Sequence, residues 1–189
     1  FLAARDGKVP ESLQLYQNHL NWRETTFPIH LNTPGLQTIL RKKAVSEIDI
    51  PSPDANPTVY VNYGTLNALQ SSGTVTTQDV VQAFTICTER MLAENENPKA
   101  PRTVQFIDLS GVSMTSFRVD TLKQIYYTFE PNYPETLARM VIYPVSNLYS
   151  ATARTLLSFV HARTQAKFLI TNSLPTICQE LGWDLAEVE

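Results

Sequence analysis

The chain has 189 residues, of which 43% are hydrophobic and only 17% charged, and its formal net charge is -3. This length suits one domain that can bury a sizeable core or enclose a cavity. The apolar surplus contains no run of roughly 18 apolar residues, which argues against a membrane span and indicates extra interior surface. The negative charge and the lack of a long basic run argue against nucleic-acid binding.

The cysteine and histidine content gives little support for a metal site. Cys87 and Cys178 lie in unrelated contexts, and we expect two buried thiols in a reducing compartment. The sequence has no CxxC or HExxH motif, so we do not expect structural or catalytic zinc. No signal peptide is recognised, which makes the cytoplasm the expected location. The chain opens at Phe1 without a start methionine, and we expect it to be part of a longer protein.

Hydrophobic periodicity predicts alternating helices and strands. A proline-rich stretch at 48–57 predicts a loop. Helices are predicted at 10–23, 34–44, 76–92, 116–129 and 147–160, and strands at 58–64, 102–109, 138–145 and 167–172. Helices alternating with strands over this length predict an α/β domain with a mainly parallel sheet.

No motif for covalent or phosphoryl-transfer chemistry is present. Gly111-Val112-Ser113 lacks the second glycine of a G-x-S-x-G elbow, and His161 and Asp108 would complete a triad only by coincidence. Neither a G-x-x-x-x-G-K-[ST] loop nor a G-x-G-x-x-G loop occurs. The motifs therefore give no support for a hydrolase or for nucleotide binding through a glycine-rich loop.

Several short segments, each weak alone, occur in a recognisable order along most of the chain. They are FLAAR and HLNWR near the start, then PTVYVNYG, IDLSGVS and NYPE, and finally VIYPVSNLYSATARTLLSFVHARTQAKF. The ordered set resembles the CRAL-TRIO lipid-binding family, and within it the secretory phosphatidylinositol transfer proteins. The resemblance implies the end of an N-terminal helical subdomain at 1–32 and a CRAL-TRIO domain at 33–189, truncated at both ends.

The resemblance implies a lipid binder rather than an enzyme, and one that needs no cofactor besides its bound phospholipid. In the family, a mainly parallel sheet floors an apolar pocket, and a gating helix covers the pocket and contacts membranes transiently. The matching segment here is 146–159, and its apolar gate residues are Leu148, Tyr149, Ala153, Leu156, Leu157 and Phe159. The alternative for the same stripe is an ordinary amphipathic helix packed on the sheet. The implied location is cytoplasmic and peripheral to membranes.

The resemblance also implies a site for a lipid headgroup. Glu135 of NYPE and Lys167 match a family pair at the inositol phosphate, together with Thr164 and Arg5. A phosphodiester requires cations and hydroxyl donors, and an inositol ring requires an acceptor for its hydroxyls. The alternative is a structural salt bridge between Glu135 and Lys167. Asp6 stands where the family has a basic residue, and it would repel a phosphate if it pointed the same way.

A second-lipid subsite is implied at Tyr60, Thr103 and Gln105. Gln105 replaces a threonine of the family, and a partner tyrosine expected upstream of Tyr60 is absent, which weakens the aromatic recognition of choline. Phosphatidylinositol is therefore favoured over phosphatidylcholine. Two other hypotheses stay open: a carrier of a smaller apolar ligand such as a tocopherol or retinoid, and a non-transferring interaction module of a larger signalling protein.

Overall fold

The computed structural model describes residues 1–48, 50, 56–94, 101–112, 118–145, 157–158 and 160–188. A short 3-10 helix, Ala3–Arg5, opens the chain. The α-helices are α1 (Val9–Thr26), α2 (Pro34–Arg41), α3 (Tyr63–Ser71), α4 (Thr77–Glu94), α5 (Val119–Asn132), α6 (Ala162–Gln165), α7 (Leu174–Leu181) and α8 (Leu185–Val188). The strands are β1 (Val45–Ile48), β2 (Thr58–Asn62), β3 (Thr103–Asp108), β4 (Leu137–Tyr143) and β5 (Phe168–Ile170).

The five strands form one sheet in the order β1-β2-β3-β4-β5. All neighbouring pairs are parallel except β1 and β2, which are antiparallel. The predicted α/β domain with a mainly parallel sheet is therefore confirmed. The predicted helix over 34–44 is three residues too long, since α2 ends at Arg41. Strand β1, which begins at Val45, was not predicted. Only four residues long and partly polar, β1 is defined by its pairing with β2.

The predicted strand over 58–64 is two residues too long at its C-terminal end. β2 ends at Asn62, whose side-chain oxygen accepts a hydrogen bond from the Thr65 backbone N–H at 2.8 Å. This contact caps α3, which begins at Tyr63 and was not predicted. Tyrosine is enriched in β-strands, but Tyr63 is the first residue of this helix, where its side chain is buried.

The sheet separates two layers of helices and two apolar cores. On one face α2 and α4 cover β1 and β2, where Val59 and Val61 are fully buried. On the other face Phe106 stacks on Trp183, beside α7. Cys87 lies in the first core and Cys178 in the second, and both thiols are buried as predicted and form no disulfide with each other. Burial raises the pKa of the Cys87 thiol to about 12.

Helix α1 docks on this domain through a half-buried ion pair. Arg23 donates two hydrogen bonds to the Glu89 carboxylate, at 2.8 and 3.2 Å, and Tyr133 donates a third at 2.7 Å. Burial of Glu89 opposes its ionisation, but these donors outweigh burial and lower its pKa. The network ties α1, α4 and the end of α5 together, directly before the turn that carries Glu135.

None of the helices in the described ranges combines the length and the apolar character needed to cross a membrane.

Candidate functional site

A cavity of about 570 Å³ lies on the sheet between α4, α5 and α6. Its volume is within the range of roughly 300–1,000 Å³ that is usual for small-molecule sites. Alternation along β3 decides its floor, because Val104 and Phe106 point to the α7 core while Gln105 and Ile107 point to the cavity. Apolar side chains supply most of the wall: Phe84, Ile107, Leu109, Leu122, Ile125, Phe129, Leu137, Met140, Ile142, Val160 and Phe168.

All four residues of the predicted headgroup site line this cavity: Arg5, Glu135, Thr164 and Lys167. The Lys167 ammonium lies 3.5 Å from Glu135 Oε2, and the two side chains are only 22% and 28% exposed. Thr164 belongs to α6, and its carbonyl accepts the Lys167 backbone N–H at 3.0 Å. The structure therefore places all four residues on the lining of one cavity and brings Glu135 and Lys167 into contact.

Glu135 occupies a backbone conformation that is uncommon for its residue type. Its φ is 64°, in the left-handed region that costs a non-glycine residue about 1–2 kcal/mol. The turn is held by Thr136, whose hydroxyl donates to the Tyr133 carbonyl at 2.8 Å. A glycine would adopt this conformation without that cost, but it would place no carboxylate at the cavity rim.

Arg163 is a rim residue that the sequence did not single out. It precedes Thr164 directly, and its guanidinium Nε lies 3.4 Å from Glu135 Oε1. Its Nη1 donates to the Ala3 carbonyl at 3.1 Å and contacts Asp6 Oδ1 at 3.3 Å. Asp6, the acidic departure from the family pattern, is thus paired with a cation. No local pattern could have indicated this, because Asp6 and Arg163 are separated by 157 positions.

The predicted second-lipid subsite is only partly assembled. Thr103 and Gln105 line the cavity, and Gln105 Nε2 donates to Thr103 Oγ1 at 3.3 Å. Tyr60 is placed elsewhere: it pairs across the strands with Phe106, on the face that packs against α7, and its hydroxyl donates to Asp108. The grouping of Tyr60 with Thr103 and Gln105 is therefore corrected, because strand register puts Tyr60 on the opposite side of the sheet.

Two buried polar atoms at the cavity have no hydrogen-bond partner in the described part of the chain. They are Gln105 Oε1 and Thr88 Oγ1, on residues that are 6% and 1% exposed. Leaving such an atom unpaired costs about 1–3 kcal/mol, so each favours a ligand that can bond to it. Thr88 was not predicted as a site residue, since a threonine on the apolar face of α4 gives no distinguishing signal.

The predicted gate falls largely on positions that the structure does not describe. Leu148, Tyr149, Ala153, Leu156 and Phe159 lie outside the described residues. Leu157 is half-buried, and its carbonyl accepts a hydrogen bond from Gln165 Nε2 at 2.9 Å. Just beyond it, Val160 is buried at the cavity, and the His161 backbone N–H donates to the Tyr126 hydroxyl at 3.0 Å. These contacts fix the end of the predicted gate segment against α5 and α6.

Within the described ranges, no group of three or more histidine, cysteine, aspartate or glutamate side chains is arranged to hold a metal ion.

The described chain is an α/β domain with a largely apolar cavity on its mainly parallel sheet. The model of the CRAL/TRIO domain family matches residues 50–184, and the chain belongs to that family. The resemblance read from the motifs is thereby confirmed.

Two known proteins illustrate the similarity. The chain is 26% identical over 183 residues to "Protein real-time" of Anopheles gambiae, covering 89% of this chain and 26% of that protein. The crystal structure of Sfh5 superposes with a TM-score of 0.80 at 20% identity, covering 95% of this chain and 65% of that one. The chain thus spans about a quarter of its curated relative and under two thirds of the solved structure.

Proposed function

We propose that this chain binds a phospholipid, with phosphatidylinositol as its preferred ligand, and exchanges it at membranes without catalysing a reaction. The observation that carries the proposal is the half-buried Glu135–Lys167 pair at the rim of an apolar cavity that Thr164 and Arg5 also line. Lys167 and Arg5 suit a phosphodiester, and Glu135 suits the hydroxyls of an inositol ring.

The apolar wall provides the larger share of the affinity. Acyl chains expose several hundred Å² each, so at about 25 cal/mol per Å² their burial contributes on the order of 10 kcal/mol. The charged rim then selects among lipids that all gain this burial energy. Release of such a lipid requires contact with bilayer hydrocarbon, and we assign that transient contact to the segment 146–159.

Lipid identification and a transfer assay together test the proposal. The chain is purified from cells and its bound lipid is identified by native mass spectrometry, and transfer of fluorescent phosphatidylinositol and phosphatidylcholine between vesicles is then compared. We expect co-purified phosphatidylinositol and faster transfer of that lipid. A chain that carries no lipid and transfers neither one would support the interaction-module hypothesis instead.

A second candidate ligand is a smaller apolar molecule that bears one hydroxyl group, as in a tocopherol or a retinoid. The unpaired Gln105 Oε1 and Thr88 Oγ1 favour it, because a hydroxyl can donate to the amide oxygen while the threonine supplies a second contact. Fluorescence titration with retinol tests this candidate, and displacement of retinol by phosphatidylinositol would show that both ligands use the same cavity.

A further inference from the structure

Eight charged side chains line the described part of the cavity, and they balance. The cations are Arg5, Lys8, Arg163 and Lys167, and the carboxylates are Asp6, Glu11, Glu130 and Glu135. Lys8 and Glu11 pair with each other at 3.4 Å, both well exposed. Removing any one of the other cations would leave a majority of carboxylates around the place where an anion is proposed to bind.

Arg163 holds a central position among these charges. Its Nε reaches Glu135 Oε1, while its Nη1 reaches Asp6 Oδ1 and the Ala3 carbonyl. The guanidinium therefore joins α6, the turn of Glu135 and the N-terminal 3-10 helix that carries Arg5. A planar fork of N–H groups can serve three acceptors in different directions, which a lysine ammonium at the end of a flexible stem does less well.

Glu135 is shared between two cations, one on each carboxylate oxygen. Oε1 lies beside Arg163 and Oε2 beside Lys167. When Lys167 turns to a phosphate, Glu135 keeps Arg163 as its partner and is not left as an uncompensated, mostly buried carboxylate. Without Arg163, the phosphate would lie near Glu135 and Asp6 with no third cation to offset them.

We propose that Arg163 is a specificity-determining residue, the counter-ion of Asp6 and Glu135 that allows Lys167 and Arg5 to bind an anionic headgroup. This role rests on the proposed phospholipid function, and it makes Arg163 a positioning residue rather than a direct ligand of the phosphate. It also explains how the chain tolerates Asp6 beside a phosphate site, since the negative charge of Asp6 is offset from α6.

The test compares Arg163→Ala, Arg163→Lys, Asp6→Asn and the double variant Asp6→Asn with Arg163→Ala. Arg90→Ala is the matched control, because Arg90 is similarly exposed (54% against 51%) and pairs with Glu47 at 3.5 Å away from the cavity. Each variant is assayed for vesicle transfer of fluorescent phosphatidylinositol and of a neutral diacylglycerol with the same acyl chains, and its melting temperature is recorded.

We expect Arg163→Ala to lower phosphatidylinositol transfer roughly three- to tenfold, because Asp6 and Glu135, without this counter-ion, would repel the anionic headgroup near the protein surface. Diacylglycerol transfer should not change. Removing Asp6 as well should restore most of the loss, Arg163→Lys should retain much of the wild-type rate, and added salt should shrink the loss through screening.

Three results would overturn the inference while leaving the proposed function intact. These are an unchanged rate in Arg163→Ala, an equal loss for the two lipids, and a double variant as slow as the single one. A wild-type chain that transfers no phosphatidylinositol would refute the proposed function itself and this role with it.

Discussion

Replacing Lys167 with methionine separates a headgroup contact from a structural salt bridge. Methionine keeps an unbranched apolar stem and removes the ammonium that lies 3.5 Å from Glu135. A hydrogen bond to a charged partner contributes about 1.5–3 kcal/mol, which corresponds to a roughly ten- to hundredfold loss of phosphatidylinositol affinity. The salt bridge alone contributes less to folding, because a partly exposed pair is worth about 1 kcal/mol or below.

The folding effect should therefore be small and the lipid effect large. For a domain of this size, about 1 kcal/mol corresponds to a shift of roughly 2–4 °C in melting temperature. The assay measures transfer of labelled phosphatidylinositol and phosphatidylcholine in parallel, with thermal melts of each variant and Arg90→Ala as the control. Equal losses for both lipids that follow a large drop in melting temperature would refute the headgroup role and leave a structural salt bridge.

Three further predictions concern residues around the cavity. Tyr60→Phe should lower the free energy of unfolding by about 0.5–1.5 kcal/mol without changing lipid transfer. A transfer defect in a stably folded variant would instead indicate that Tyr60 contacts the ligand. Thr88→Val should leave stability unchanged or raise it by up to about 1 kcal/mol and weaken retinol binding, whereas unchanged retinol titrations would contradict the role of that hydroxyl. Glu89→Gln should lower the free energy of unfolding by about 1–3 kcal/mol at neutral pH. Folding lowers the pKa of Glu89 below its ordinary value of 4.5. The carboxylate therefore stabilises the fold above pH 4.5, and this stabilisation is lost as the pH falls through the pKa of the folded state. Urea unfolding of both proteins at neutral pH and at several pH values below 4.5 measures this, and a difference that does not depend on pH would contradict it.

Those parts of the fold that depend on local pattern could be predicted from the sequence. Helix α4 repeats apolar residues at helical steps, and β3 is a short run of buried residues, so a short stretch of sequence is enough to predict each of them. Strand β1 and helix α3 could not be predicted in this way. The strand depends on pairing with β2, and the helix depends on the Asn62 cap overriding the strand-like character of Tyr63.

The residues of the candidate site also differ in whether a sequence motif could indicate them. Glu135 and Lys167 could be paired in advance because a family pattern records their relation, and the structure places them in contact. Tyr60 was misplaced because a motif gives a residue's position along a strand but not the face on which its side chain lies. Arg163 was missed because its partners are at the other end of the chain, and a residue outside a motif carries no mark of such a contact.

Two polar parts of the cavity differ in what they would require of a ligand. At the rim, the Glu135 carboxylate already has Lys167 and Arg163 as partners. On β3 and α4, Gln105 Oε1 and Thr88 Oγ1 lack a partner within the described chain. A phospholipid that placed hydrocarbon on these two atoms would leave their cost in place, whereas a ligand hydroxyl that bonded to them would remove it. We therefore expect substitutions at the two places to change ligand preference in opposite directions, Lys167→Met towards the smaller hydroxyl-bearing ligand and Thr88→Val towards the phospholipid.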